Sequence, residues 1–208
     1  MKWLERFRFR TFSHTAAVDE LLVEIFRKTI HISSALVVVF AERWYSATII
    51  GITILSVIYC LSEFLRMNNH YLYCIAIITR YASRARDRGK FVLGPITLSC
   101  GILAALLLFP MHTAQISIYA LAFGDGLASL VGKRFGKIRL AFCKDKTVAG
   151  SLACFFAVFL SSLAVSKSLW KSLILAIAGA CIEMLPLKDY DNVLIPIAIG
   201  SLALLLHA

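Results

Sequence analysis

Asp125 sits in the run Ala122-Phe-Gly-Asp-Gly-Leu-Ala-Ser129, between Gly124 and Gly126 and inside an otherwise apolar stretch. A carboxylate placed there is stable when it is paired, binds a cation or faces water, which makes it a functional candidate by default. The two glycines permit close backbone approach or local unwinding. A small-residue packing seam with a structural Asp is the other reading of the same residues. Further on, Glu183 precedes Pro186 by one turn, and Lys188-Asp-Tyr-Asp-Asn192 follows. Glu183, Asp189 and Asp191 are hard oxygen donors of the kind that hold Mg²⁺ against nucleotide phosphates. Asp189 or Asp191 taken alone would serve equally well as a loop cap.

Cations surround these acids in the sequence. Gly132-Lys-Arg-Phe-Gly-Lys137 supplies Lys133 and Arg134, and Lys146-Thr-Val-Ala-Gly-Ser151 opens the next apolar stretch. Lysine followed by Thr147, Gly150 and Ser151 at a helix start makes a phosphate cradle, because free N–H groups and the helix dipole favour anions. The pattern GxxxxGK[ST] is absent, so this is no Walker loop. Earlier, Glu24, Arg27, Lys28 and His31 stand at i, i+3, i+4 and i+7, on one stripe of a helix. The stripe faces a polar cavity, or it is an interfacial ion-pair ladder with snorkelling cations.

The elements that must position these groups are membrane helices. The 208 residues are 60% hydrophobic and 16% charged, with a mean hydropathy of +0.80. A soluble chain of this size could not bury so much apolar surface in one core. The apolar runs predict an all-α, polytopic membrane protein with about seven spans: Leu21–Ala41, Tyr45–Leu65, Phe91–Phe109, Ala114–Val131, Val148–Val165, Ser172–Leu187 and Val193–His207. Tyr71–Thr79 is too short to span as a helix and is expected to be interfacial or re-entrant. Residues 1–20 form a basic, aromatic segment suited to an anionic headgroup layer, with no apolar core of a cleavable signal. The whole of 1–208 reads as one transmembrane domain. The six cysteines are scattered without metal-ligand spacing, and the net charge of +10 lies between spans, which argues for membrane orientation and against nucleic acid.

Taken in order, the Glu–x–x–Arg-Lys–x–x–His stripe, the Gly-Asp-Gly helix, Gly–x–x–x–Gly-Lys, Lys-Thr–x–x–Gly-Ser and the late Asp-Asn resemble the CTP-dependent lipid kinases. That group includes phytol, dolichol and diacylglycerol kinases and is related to phosphatidate cytidylyltransferases. The resemblance runs from about Glu24 to Pro196 and is most specific over Gly124–Ser151. It implies phosphoryl transfer from CTP, or another nucleoside triphosphate, to the hydroxyl of a membrane lipid alcohol, with Mg²⁺ or a similar cation. Carried over, Asp125 is a metal or catalytic carboxylate, joined by His31 and Glu183 in catalysis and by Asp191 at the metal. Lys133, Arg134, Lys146, Thr147, Gly150 and Ser151 hold the donor, while Glu24, Arg27, Lys28, Gly124, Gly126 and Asn192 complete the polar site.

Two other functions compete. A cytidylyltransferase would make a CDP-lipid, but that branch carries paired glycines and an Asp-Arg–x–Asp signature where this chain reads Cys181-Ile-Glu-Met-Leu-Pro-Leu-Lys-Asp-Tyr-Asp-Asn192. A small transporter would place its site near the midplane between repeated halves, and no such repeat is present. Lys and Arg divide 19 to three between the two sets of connecting segments, which puts the N-terminus and the site in the cytosol of a bacterial inner membrane or an endoplasmic-reticulum type membrane. A tag on the C-terminus of intact cells is therefore expected to be accessible from outside. A cytosolic C-terminus would show that Tyr71–Thr79 crosses or that a span is miscounted.

Overall fold

The computed structural model describes residues 21–68, 70, 75, 79, 90–140 and 143–208. The basic N-terminal segment, and all of Tyr71–Thr79 but two residues, lie outside the described residues. Helix α1 covers residues 21–33 and gives way, after a turn at 34–35, to α2 (Leu36–Arg43). The expected first span is thus broken: the hydroxyl of Ser34 donates to the carbonyl of His31 (2.6 Å) at the break. Then come α3 (Tyr45–Met67), α4 (Gly94–Leu108), α5 (Met111–Phe135), α6 (Val148–Ser166), α7 (Leu169–Glu183) and α8 (Asp191–Leu205). A short antiparallel ribbon, β1 (Arg139–Leu140) with β2 (Cys143–Thr147), joins α5 to α6 and is the one strand pairing among the described residues. The expected all-α architecture holds apart from this ribbon.

Among the described residues, α3, α5 and α6 are long and apolar enough to cross a bilayer. Helices α4, α7 and α8 have 15 residues each, about 22 Å of helix against a hydrocarbon layer of ~30 Å. The outward faces carry apolar side chains that water would not tolerate in such number. On α3 alone, Ile50, Ile54, Leu55, Val57, Leu61 and Phe64 are exposed. Lipid covers that face, and this is a membrane protein.

Helix α5 is the axis of the bundle. It is buried over most of its length, and its residues Ile116, Ile118 and Leu121 pack with Val158 of α6, Leu175 of α7 and Ile195 and Ile199 of α8. Helix α8 lies between α5 and α4, and α3 packs against α4. The approach of α4 to α8 depends on Gly101, where a Cβ would stand 2.0 Å from the carbonyl oxygen of Asn192. Backbone cannot yield there as a side chain would, so the two helices would have to part. Gly101→Ala is expected to lower stability by about 1–3 kcal/mol, the usual cost of overpacking. Gly51→Ala, with nothing within 4 Å, is expected to be neutral or to gain up to ~1 kcal/mol of helix propensity. Thermal melts of both variants in detergent check this, and equal melting temperatures would contradict the close packing of α4 on α8.

Candidate active site

The site begins with an irregularity in α5. Residues Ala120–Asp125 form a π-type stretch, closed by Asp125. Such stretches interrupt the regular i→i−4 ladder, and here the carbonyl of Leu121 accepts a hydrogen bond from Nε2 of His31 (3.1 Å). The flanking glycines let neighbours close in: a Cβ on Gly124 would meet Val158 of α6 at 2.9 Å, and one on Gly126 would meet Ile32 of α1 at 2.7 Å. The carboxylate of Asp125 is buried at this point.

Helix α1 is docked onto α5 through charge. The stripe Glu24, Lys28 and His31 meets Asp125, Ser129 and Lys133, which recur every four residues on α5 and so share a face. The ammonium of Lys28 donates to Oδ2 of Asp125, and Nε2 of His31 lies 3.2 Å from the same oxygen. At the other end Glu24, fully buried, accepts from the hydroxyl of Ser129 (2.6 Å), from Lys133 (3.2 Å) and from Arg27 (3.2 Å). Arg27 also comes within 3.9 Å of Asp189. Nε2 of His31 therefore faces a carbonyl and a carboxylate, neither of which can donate, so Nε2 carries the proton and Nδ1 the lone pair.

Three carboxylates converge beside this pair. Asp125, Glu183 and Asp191 are all buried, and one oxygen from each lies within 4.8 Å of the others. Lys146, at the end of β2, donates to Oε1 of Glu183 (2.5 Å) and stands 4.0 Å from Oδ2 of Asp191. Burial disfavours its charge, but Glu183 above all overcomes this and raises the lysine pKa above its ordinary value, so Lys146 stays cationic. Oε2 of Glu183 is buried with no hydrogen-bond partner. Two ammonium groups, those of Lys28 and Lys146, thus face three carboxylates, and one buried oxygen is unfilled. Hard anionic oxygens in this arrangement fit a divalent cation of the Mg²⁺ type.

The cationic rim is arranged differently from a simple cradle. Lys133 and Arg134 are exposed near the end of α5. Thr147 caps α6, its hydroxyl accepting from the N–H of Gly150 (3.1 Å), and the hydroxyl of Ser151 donates to the carbonyl of Thr147 (3.3 Å). The N–H of Val148 donates to Ile138 (3.1 Å). Lys146 is the member of this stretch that points inward. Asn192 ties α8 to α4, donating to Thr97 (2.9 Å) and to the carbonyl of Gly94 (3.4 Å).

One cluster next to the site was not singled out from the sequence. Glu63 on α3 is buried, takes a bidentate pair from Arg66 (2.8 and 2.9 Å) and accepts the N–H of Val92 (3.0 Å). Arg66 donates to the carbonyl of Lys90 (2.6 Å), and the hydroxyl of Tyr59 to that of Val92 (3.0 Å). Together they pin the start of α4 to α3. Its signal was available: Glu63 and Arg66 stand at i, i+3 at the end of an apolar span.

Comparison with known proteins puts this geometry in context. A probable phytol kinase of Triticum aestivum chloroplasts is 31% identical over 153 residues, covering 64% of this chain and 51% of the relative. A probable phytol kinase 3 of Glycine max chloroplasts is 29% identical over 225 residues, 94% of this chain and 68% of the relative. The chloroplastic farnesol kinase of Arabidopsis thaliana is 29% identical over 187 residues, 81% and 61% of the two chains. The chain spans about half to two thirds of the length of these relatives. No family model matches, and no solved structure does. The likeness to several phytol and farnesol kinases, extending in one case over nearly all of the sequence, supports a place for the chain in the polyprenol/phytol kinase family.

Proposed function

We propose that the protein is a prenyl alcohol kinase that moves the γ-phosphoryl group of a nucleoside triphosphate, CTP by resemblance to its group, onto the hydroxyl of a membrane isoprenoid alcohol. The observation that carries this is the convergence of Asp125, Glu183 and Asp191 around an unfilled buried oxygen, with Lys146 beside them. In this reading, which rests on the Lys/Arg bias of the connecting segments, the site opens to the cytosol, where the nucleotide arrives from water and the lipid from the bilayer.

Phosphoryl transfer asks a protein for positioning and charge stabilisation more than for covalent chemistry. A divalent cation held by Asp125, Glu183 and Asp191 would neutralise charge on the β- and γ-phosphate oxygens. Lys146 and the outer cations Lys133 and Arg134 would hold the donor's phosphates. The alcohol oxygen attacks the γ-phosphorus, the bond from that phosphorus to the β-phosphate oxygen breaks, and CDP leaves with the electron pair. Nδ1 of His31 takes the hydroxyl proton. Asp125, paired with Lys28 and lying on the Nε2 side of the ring, stabilises the imidazolium that forms. Glu24, Arg27 and Asn192 act one layer out, fixing α1 and α8 around the reacting groups.

Purified protein with γ-labelled CTP or ATP and a panel of phytol, farnesol and diacylglycerol tests the reading. The expected products are a labelled lipid phosphate and CDP; pyrophosphate with a CDP-lipid would replace the kinase by a cytidylyltransferase. Asp125→Asn keeps the size of the side chain and removes its charge, so turnover is expected to fall by at least ~10²-fold. Lys146→Ala is expected to weaken the apparent affinity for the nucleotide while the protein still folds and inserts. Normal turnover in Asp125→Asn would remove Asp125 from the reaction.

A further inference from the structure

An apolar groove of about 370 Å³ runs between α1, α2, α3 and α4 and ends at the site. Its polar end is formed by Arg27, His31, Asp189 and Asn192; beyond them the walls are Ile30, Val37, Ile52, Leu98 and Ile102 with few polar groups. Gly94, at the start of α4, and Ile102, further along, both line it, and eight residues of helix span about 12 Å. That depth is close to the ~15 Å of one leaflet's hydrocarbon. The side formed by α3 is open to lipid, for Leu55 and Ile58 line the groove and are 68% and 41% exposed. The groove thus has a polar head, an apolar body and a side entrance from the membrane, the profile of a long-chain alcohol lying in one leaflet.

We propose that this groove binds the hydrocarbon of a single-chain prenyl alcohol and delivers its hydroxyl to His31, so that the fold itself selects against two-chain acceptors such as diacylglycerol. Four helices, α1 to α4, wall one channel together with Ile75 and Thr79, at the small end of the ~300–1,000 Å³ usual for ligand pockets, and it provides for one chain. His31 is the residue shared by the groove and the charged cluster: its ring lines the groove, its Nε2 is engaged with Leu121 and Asp125, and Nδ1 has no hydrogen bond among the described residues. The proposal rests on the kinase reading for what happens to the hydroxyl, and not for where the chain lies.

The test uses binding, which separates the two. A farnesol analogue carrying a diazirine in its tail is photolysed with the purified full chain in detergent, and the adducts are mapped by mass spectrometry. Labelling is expected at Ile52, Leu98 and Ile102, competed by farnesol and phytol and not by diacylglycerol. Leu98→Trp fills the groove and is expected to cut this labelling by at least ~10-fold, as steric exclusion from an apolar pocket does. Leu107→Trp, at a position of α4 exposed to lipid, is expected to leave it unchanged. Adducts on outward residues such as Phe156 and Leu160, or equal competition by diacylglycerol, would overturn the groove assignment even if the protein phosphorylates lipids. Groove labelling without any phosphorylation by the wild type would instead uphold the groove and sink the kinase reading.

Discussion

The buried pairing of Lys28 with Asp125, shared by His31, holds the arrangement together. Taking an ammonium and a carboxylate out of water costs several kcal/mol for each ion, and their attraction offsets this only when geometry and further hydrogen bonds are good. Here both ions are nearly inaccessible, and the carboxylate also has the imidazole against it. Removing one partner of such a pair typically costs about 3–5 kcal/mol, because the other is left charged and buried. The pair fixes the register of α1 on α5, and Glu24 with Ser129 and Lys133 repeats the clasp on the same two faces. A short helix that begins a broken span is thereby held against the central helix by polar contacts, where lipid gives no hydrophobic drive for association.

From that register two consequences follow for the site. His31 reaches the charged cluster through Nε2 and also lines the apolar groove. The carboxylate of Asp125 is also brought to the level at which α7 ends and α8 begins, so that Glu183 and Asp191 join it from different helices. Acids that are far apart in sequence meet because the end of α7 and the start of α8 lie against the π-type stretch inside α5. Lys146 enters the same space from β2, whose pairing with β1 turns the chain back onto the end of α5.

Much of this was legible in the residues, for a physical reason. A charge inside an apolar run must be solvated by something, so Asp125, Glu183 and the α1 stripe announced themselves, and the helical spacing of Glu24, Lys28 and His31 gave their common face. The roles within the group were less legible. Thr147 and Ser151 read as phosphate ligands, while in the fold their hydroxyls serve the start of α6. The spacing of Lys146 gave no hint that it turns inward toward Glu183. The break at residues 34–35 was hidden in a continuous apolar run, since an apolar sequence specifies membrane and not helix continuity. The groove was invisible because it is made of ordinary Ile, Val and Leu on four helices, and its existence depends on how they pack.

The central claim is that Asp125, Glu183 and Asp191 form one cation site. Titrating the purified chain with Mn²⁺ and following the free ion by electron paramagnetic resonance tests this without substrate or turnover. The expected result is one bound Mn²⁺ per chain, displaced by Mg²⁺, with affinity lost in the double variant Glu183→Gln, Asp191→Asn while its helical content is unchanged. Equal Mn²⁺ binding by the wild type and a folded double variant would contradict it, and would make the three carboxylates a structural cluster neutralised by Lys28 and Lys146 alone.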